Sequence, residues 1–259
     1  MKQMKVVLLF FFVLYANVYG QKRKKINYNQ KIEELKKELQ EDEDEKILEN
    51  RYYSIGYYFN KINQPDSAYK YISKSKDLCL ELQDTLKTVQ RMFSLARIES
   101  LKEFFTKSDS TAIQALRLLG TNKNKYKITV SLYNTLGINA NSTGHYQEAV
   151  RCYNKVLEIA SDSISIIGYK SNIAFNFIYL EKYVKANSIY NNIKSSQYFD
   201  SISDYIKAKV LDNHAYSKLL DKDGVQESDF LEGQSIKRQI GDINGLIDRI
   251  PRGSASGVA

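Results

Sequence analysis

Residues 132–157 read LYNTLGINANSTGHYQEAVRCYNKVL, and their order of large and small side chains decides the fold. Leu136-Gly137 and Ala140 mark one helix, Gly144 and Tyr146 a tight turn, and Ala149, Tyr153 and Val156-Leu157 a second helix. Small residues at 137 and 149 let two antiparallel helices come close, because no bulky side chain stands between them. The stretch predicts a helical hairpin.

The same features recur. Asp or Asn residues beside expected helix starts fall at Asp44, Asp84, Asn124, Asp162, Asp200 and Asp242, with gaps of 40, 40, 38, 38 and 42. Asp and Asn side chains accept hydrogen bonds from the unpaired amides of a first helical turn, and their charge suits that end of the helix dipole. A register this regular points to a solenoid array. Residues 49–82 repeat the pattern through Tyr52, Ile55-Gly56, Phe59, Ala68 and Ile72, with Pro65-Asp66-Ser67 opening the second helix. Residues 169–195 repeat it through Ile173-Ala174, Phe177, Tyr183, Ala186, Tyr190 and Ile193. Residues 89–119 supply Met92, Leu95-Ala96, Ala112, Leu116 and Leu119, which implies a loop about four residues longer around Lys107-Ser108-Asp109-Ser110. Residues 208–240 supply Leu211, His214-Ala215, Leu231 and Ile236, with Glu227 or Ser228 where the second helix should carry a small residue.

Apolar spacing supports helices independently: Tyr52, Ile55, Phe59 and Ile62 follow helical periodicity, as Leu132, Leu136 and Ile138 do more loosely. Only Pro65 and Pro251 interrupt the chain, and no stretch alternates at strand spacing. The expected fold is all-α: a right-handed solenoid of about five antiparallel helix pairs over residues 46–248.

A bulky residue, Leu-Gly, a small or aromatic residue, a Gly-Tyr turn, Ala and an aromatic, in that order, resemble the tetratricopeptide repeat. Here the proline that closes each unit of that family is replaced by Asp-Ser or Asp-Thr. The resemblance implies a protein- or peptide-binding scaffold whose first helices line a concave groove. Carried over unit by unit, the groove positions are Tyr53, Tyr57 and Asn60, then Arg97, then Asn134 and Asn141. Asn172, Phe175 and Tyr179 follow in the fourth unit, and Asp212, Asn213 and Tyr216 in the fifth. Aromatic and amide side chains grip extended peptide without demanding one sequence; the alternative is that they merely fill the superhelix. A clamp for a peptide C-terminus would need Lys and Asn on successive first helices, and Phe93 precedes Asn134 instead.

The first twenty residues read as a secretory signal: Lys2 and Lys5, the apolar run Val6–Tyr15, then Val18 and Gly20 before Gln21. That run is short of the roughly 20 residues of a membrane span, although Lys22-Arg23-Lys24-Lys25 leaves an uncleaved anchor as the alternative. The expected location is the periplasm or envelope of a bacterium, with membrane attachment only if the segment is retained. Without Lys2 and Lys5 the formal charge of +8 becomes +6. Residues 21–45 read as a charged leader whose stripe of Ile32, Leu35 and Leu39 suits a polar cap helix on the first repeat. One basic run at 22–25 is not a nucleic-acid-binding face.

No chemistry stands out. His145 lies in a turn and His214 at a packing position, neither with the three or four ligands a zinc site needs. There is no phosphate-binding Gly loop, nucleophile elbow or His-Glu-x-x-His. The expectation is a non-enzyme with no cofactor and no metal. Twenty tyrosines and no tryptophan fit core positions such as Tyr52, Tyr153, Tyr183 and Tyr190. Cys79 and Cys152 lie two repeats apart and read as free, buried thiols; export would equally permit a bridge.

From Asp242 a further unit starts, Asp242-Ile243-Asn244-Gly245-Leu246-Ile247, and gives way at Pro251 to a small-residue tail over 249–259. The expectation is a chain that is truncated, frameshifted or carries a foreign tail. Exported arrays of this length also resemble the sensory ectodomains of bacterial membrane regulators, which makes a sensor fragment the alternative function.

Overall fold

A computed structural model describes residues 27–40, 44–121, 126–221 and 227–241. The signal segment, the basic run at 22–25, Asn124, Asp242 and the tail lie outside them. Among the described residues there are eleven α-helices and no strand. They are α1 (Tyr28–Glu38), α2 (Glu45–Lys61), α3 (Pro65–Glu81), α4 (Thr85–Leu101), α5 (Phe105–Leu119), α6 (Tyr126–Ser142), α7 (Tyr146–Ile159), α8 (Ser163–Tyr179), α9 (Tyr183–Lys194), α10 (Asp204–Asp221) and α11 (Glu227–Ile240). Two compact units divide the chain between Leu78 and Cys79, inside α3.

Helix starts follow the acidic register where it can be followed. Asp44 accepts from the amides of Lys46 and Ile47, Asp84 from Lys87, and Asp162 from Ser165. Asp200 departs from the register. It sits in a single 3-10 turn, Phe199–Ser201, and α10 begins at Asp204, where the Ser203 carbonyl takes the amide of Lys207.

Helix ends follow one device. In the joint after α2 the amide of Gln64 reaches the carbonyl of Phe59 at 2.9 Å, and that of Asn63 the carbonyl of Asn60 at 3.2 Å. This pair of bonds satisfies the last carbonyls of a helix but forces the residue after it into the left-handed region. The same pair closes α3, α4, α6 and α8, with Gln83, Glu103, Gly144 and Glu181 at the left-handed position. Five residues on stand Ala68, Thr88, Ser108, Ala149 and Ala186, all buried. A fixed turn therefore delivers a small side chain to each helix crossing.

That geometry corrects the expected long loop after α4. The joint is Lys102–Phe104, as short as the others, and Lys107–Ser110 lie in the first turns of α5. Ser108, not Ala112, takes the crossing place; its hydroxyl is tied off by donating to the Ala96 carbonyl at 2.8 Å. In the last pair the close approach falls at Gly233, where a Cβ would strike the Asp212 carboxylate. Leu231, expected in the core, is turned outward as a result.

In the first unit, α1 packs on α2 through Ile32, with Tyr28 against Tyr58 and the Arg51 guanidinium 3.1 Å from the Glu38 carboxylate. Its outward side is charged: Lys31, Lys36, Glu33 and Glu34 pair along it. Gly56 of α2 meets α3, where a Cβ would lie 2.5 Å from Ile72 and 3.0 Å from the Ala68 carbonyl. Glu49, buried in this pair, accepts from the Ser75 hydroxyl at 2.7 Å.

In the second unit, successive pairs share their cores. One apolar cluster joins Val89, Met92 and Ala96 of α4 with Ala112, Ala115 and Leu119 of α5, and is closed by Leu132 of α6. The next joins Ala140, Ala149, Val150 and Tyr153 of α6 and α7 and is closed by Ile173 of α8. The third joins Ile167, Ala174 and Ile178 with Ala186, Tyr190 and Ile193, and is closed by Val210 of α10. Each pair thus buries its stripe on the first helix of the next, which is translational stacking.

Candidate functional site

On every first helix a small residue, Gly56, Ala96, Gly137, Ala174 or Ala215, is buried, and the first four pack on the second helix of their pair. Helical spacing puts the residues one and five positions further on along a different flank. In the first unit that flank carries Tyr57, 43% exposed, and Lys61, whose ammonium lies 5.2 Å from the Tyr57 ring. Asn60 is exposed beside them, and Tyr53 is half-buried.

In the second unit the flank runs over α4, α6, α8 and α10. It carries Arg97 and Leu101, then Ile138, then Phe175 and Tyr179, then Tyr216 and Leu220. Leu101 is 69% exposed, Ile138 44% and Tyr179 45%. The helices are keyed together alongside this stripe. The Asn141 amide donates to Asn176 Oδ1 at 3.0 Å, linking α6 to α8. Lys209 of α10 donates to Asn172 Oδ1 at 3.1 Å and lies 5.9 Å from the Phe175 ring. Phe175 meets Tyr179 edge-on at 5.0 Å, and Tyr179 stacks at 4.7 Å on Tyr146, at the start of α7. Arg97 covers Phe93 at 5.7 Å, and Asn134 is half-buried.

The structure therefore gathers Asn141, Asn172, Phe175 and Tyr179 on one stretch of the second unit, whereas Tyr216 is half-buried against the core cluster around Tyr190 and Val210. Asp212 and Asn213 do not share it. Both are 4% exposed, and Asp212 is ion-paired with Lys237 of α11, so it holds the last helix down rather than facing an open groove. Leu101, Ile138, Tyr146 and Lys209 were missed by the sequence reading. Ile138 was legible, because it follows Gly137 as Tyr57 follows Gly56.

A cleft of about 330 Å³ opens between α8 and α10. Its walls include Ile164, Tyr169, Tyr205 and Ile206, with Ser171, Asn172 and Lys209 as polar lining. Gly168 borders open space there: a Cβ would meet only the tip of Ile206, at 4.0 Å.

A buried polar junction stands behind the stripe. Asn139 of α6 accepts from the Ser100 hydroxyl at 2.6 Å and donates to Ser108 at 2.8 Å and Asp109 at 2.7 Å. Burial raises the Asp109 carboxyl above its ordinary value, the Asn139 amide partly offsets this, and nearby Glu148 adds to the rise. Cys79 and Cys152 are free and buried. Burial, reinforced by Glu148, pushes the Cys152 thiol up to about 12, which keeps it protonated and unreactive. His145 is exposed, with Nδ1 2.9 Å from the Thr143 hydroxyl, and His214 is buried against Tyr190. Among the described residues no three His, Cys, Asp or Glu side chains gather as a metal site, and no helix is long and apolar enough to cross a membrane.

Helix pairs repeating near forty residues, with three successive cores of the second unit each closed by the next first helix, define an all-α helical solenoid of the tetratricopeptide-like class. Solved structures of that class resemble it. RapI in its apo form superposes with a TM-score of 0.63 at 17% identity, over 75% of this chain and 72% of that one. BtubC (BKLC) from P. vanneervenii gives 0.60 at 14% identity, over 90% and 95%. The kinesin light chain TPR-like repeats of Podosopora anserina give 0.59 at 12% identity, over 74% and 96%. At such identities the likeness is one of fold. No family model and no curated protein sequence matches the chain.

Proposed function

We propose that this chain is a non-catalytic scaffold that binds an extended peptide or protein segment along its first helices, exported to the bacterial envelope. One observation carries the reading. Leu101, Ile138 and Tyr179 stand exposed on successive first helices of the second unit, with half-buried Phe175 against Tyr179, while the core behind each is already closed. Large apolar side chains left in water beside a satisfied core mark an interaction face. The tetratricopeptide-like fold supports the same reading, since stacked helix pairs present long concave binding surfaces.

Incubating the full chain on an array of immobilised random peptides tests it. A defined subset of peptides is retained, and the double variant Ile138→Asp, Tyr179→Asp loses that subset while keeping its helix content. Equal retention by both proteins, or no retention at all, counts against the reading. Export rests on Lys2, Lys5 and the apolar run Val6–Tyr15. The mature protein then starts at Gln21, and an intact mass that includes residues 1–20 would contradict it.

A further inference from the structure

A second cleft, of about 260 Å³, opens on the face of α8 turned away from the stripe. Lys170, Ile173 and Phe177 stand at positions i, i+3 and i+7 and share one face of that helix, whereas Phe175 and Tyr179 lie on the opposite one. Leu157 of α7 and Ile189 of α9 complete its apolar lining. Ile173 belongs to the core cluster around Tyr153, and the other three apolar residues are half-buried against that cluster, so the cleft is an edge of the core that the two second helices leave open. Its rim is polar. Asn154, Asn192 and Lys170 line it and are exposed, and the Lys185 ammonium lies 5.9 Å from the Phe177 ring. Neither α8 nor α9 contains an Asp or a Glu, and the two carboxylates of α7, Glu148 and Glu158, are engaged by Arg151 and Lys155. In the adjoining joints Asp162 is committed to the Ser165 amide, and Glu181 pairs with neither lysine. Lys170 and Lys185 therefore stand over an apolar hollow with no ion pair among the described residues.

We propose that this cleft captures the C-terminus of a polypeptide that ends in an aliphatic residue: the side chain enters the hollow over Ile173 and Phe177, and the terminal carboxylate is held at Lys170, with Lys185 adding to the attraction. Asn154 and Asn192, one on each wall, serve the last peptide group. Apolar lining with a few polar groups that fix orientation is the general build of a ligand pocket. The site lies on the other face of α8 from the stripe and stands independently of what the stripe binds. A chain end fits where the alternatives do not. An internal segment or an amidated end offers only a neutral oxygen to Lys170, and charge-assisted hydrogen bonds are about twice as strong as neutral ones. A basic side chain beside the carboxylate meets the two lysines with like charge, and a terminal glycine leaves the hollow to water.

The test is an NMR titration of the 15N-labelled full chain with N-acetyl-L-leucine, N-acetyl-L-leucinamide and N-acetylglycine. N-acetyl-leucine shifts the amide signals of Lys170, Ile173 and Asn192 saturably, with a dissociation constant that is roughly millimolar for so small a ligand. The leucinamide, which lacks the charge, binds about tenfold more weakly, and N-acetylglycine, which lacks the side chain, is weaker by about tenfold or more. Lys170→Met, at an exposed position, brings N-acetyl-leucine down to the leucinamide level. Asn154→Phe, also exposed, fills the hollow and abolishes the response. The double variant Ile138→Asp, Tyr179→Asp leaves it unchanged, so a silent stripe and a silent cleft are told apart. No saturable shift, equal affinity for acid and amide, a response that survives Asn154→Phe, or one lost in the stripe variant overturns the inference.

Discussion

Single residues carry this fold where helices touch. A Cβ on Gly137 would lie 2.9 Å from the Tyr153 ring, which is itself buried. Gly137→Ala gains roughly 1 kcal/mol of helix propensity but overpacks a crossing, a fault that costs about 1–3 kcal/mol. A net loss of stability in urea unfolding is expected; an unchanged midpoint would mean the crossing yields freely. Asp109 gives a pH signature. Its carboxyl binds a proton more tightly folded than unfolded, so its favourable contribution is complete below the ordinary value of 3.8 and is lost as pH rises through the raised value. Asp109→Asn keeps an oxygen for the Asn139 amide and removes the charge. The variant should match the parent at pH 3 and exceed it in urea midpoint at pH 7; a lower midpoint at pH 7 would reverse the sign. Crossing residues such as Gly56, Gly137 and Ala174 were legible in sequence because smallness is visible in the letters. Asp212 and Asn213 were not: the same letters serve an exposed face or a buried position, and only the fold decides, pairing Asp212 with Lys237 and burying Asn213 beside it.

At the scale of elements the repeated joint does most of the positioning. Four of the five left-handed positions are held by Asn63, Gln83, Glu103 and Glu181 rather than glycine. An L-residue there costs roughly 1–2 kcal/mol, against about 0.4–1 kcal/mol of unfolded-chain entropy that a glycine adds. Glu181→Gly should therefore stabilise the protein by about 0.5–1 kcal/mol, read as a higher thermal midpoint; a fall would show that the Glu181 side chain supports the turn. The Gly144 turn was visible in sequence for this reason, whereas its counterpart at Glu103 was hidden behind an ordinary residue. That concealment produced the expected long loop around Lys107–Ser110, which the structure places in α5. Likewise α11 keeps its crossing glycine at Gly233, beyond Glu227 and Ser228, where the small residue was expected, so the register of the last pair was lost.

At the scale of the whole molecule, stability should accumulate by neighbours, because each apolar cluster of the second unit ends on the first helix of the following pair. The period near forty made this visible in the letters before any coordinates, and the apolar stripes made the helices so. Which half-buried residues adjoin one another was not visible, since Lys209, Asn172 and Phe175 meet only after α8 and α10 stack. Hydrogen exchange by mass spectrometry on the full chain, with and without Gly137→Ala, tests the stacked array directly. Protection should fall most in α6 and α7, less in α4, α5, α8 and α9, and hardly at all in α1 and α2. A uniform fall across every helix, as a single cooperative core would give, would contradict it.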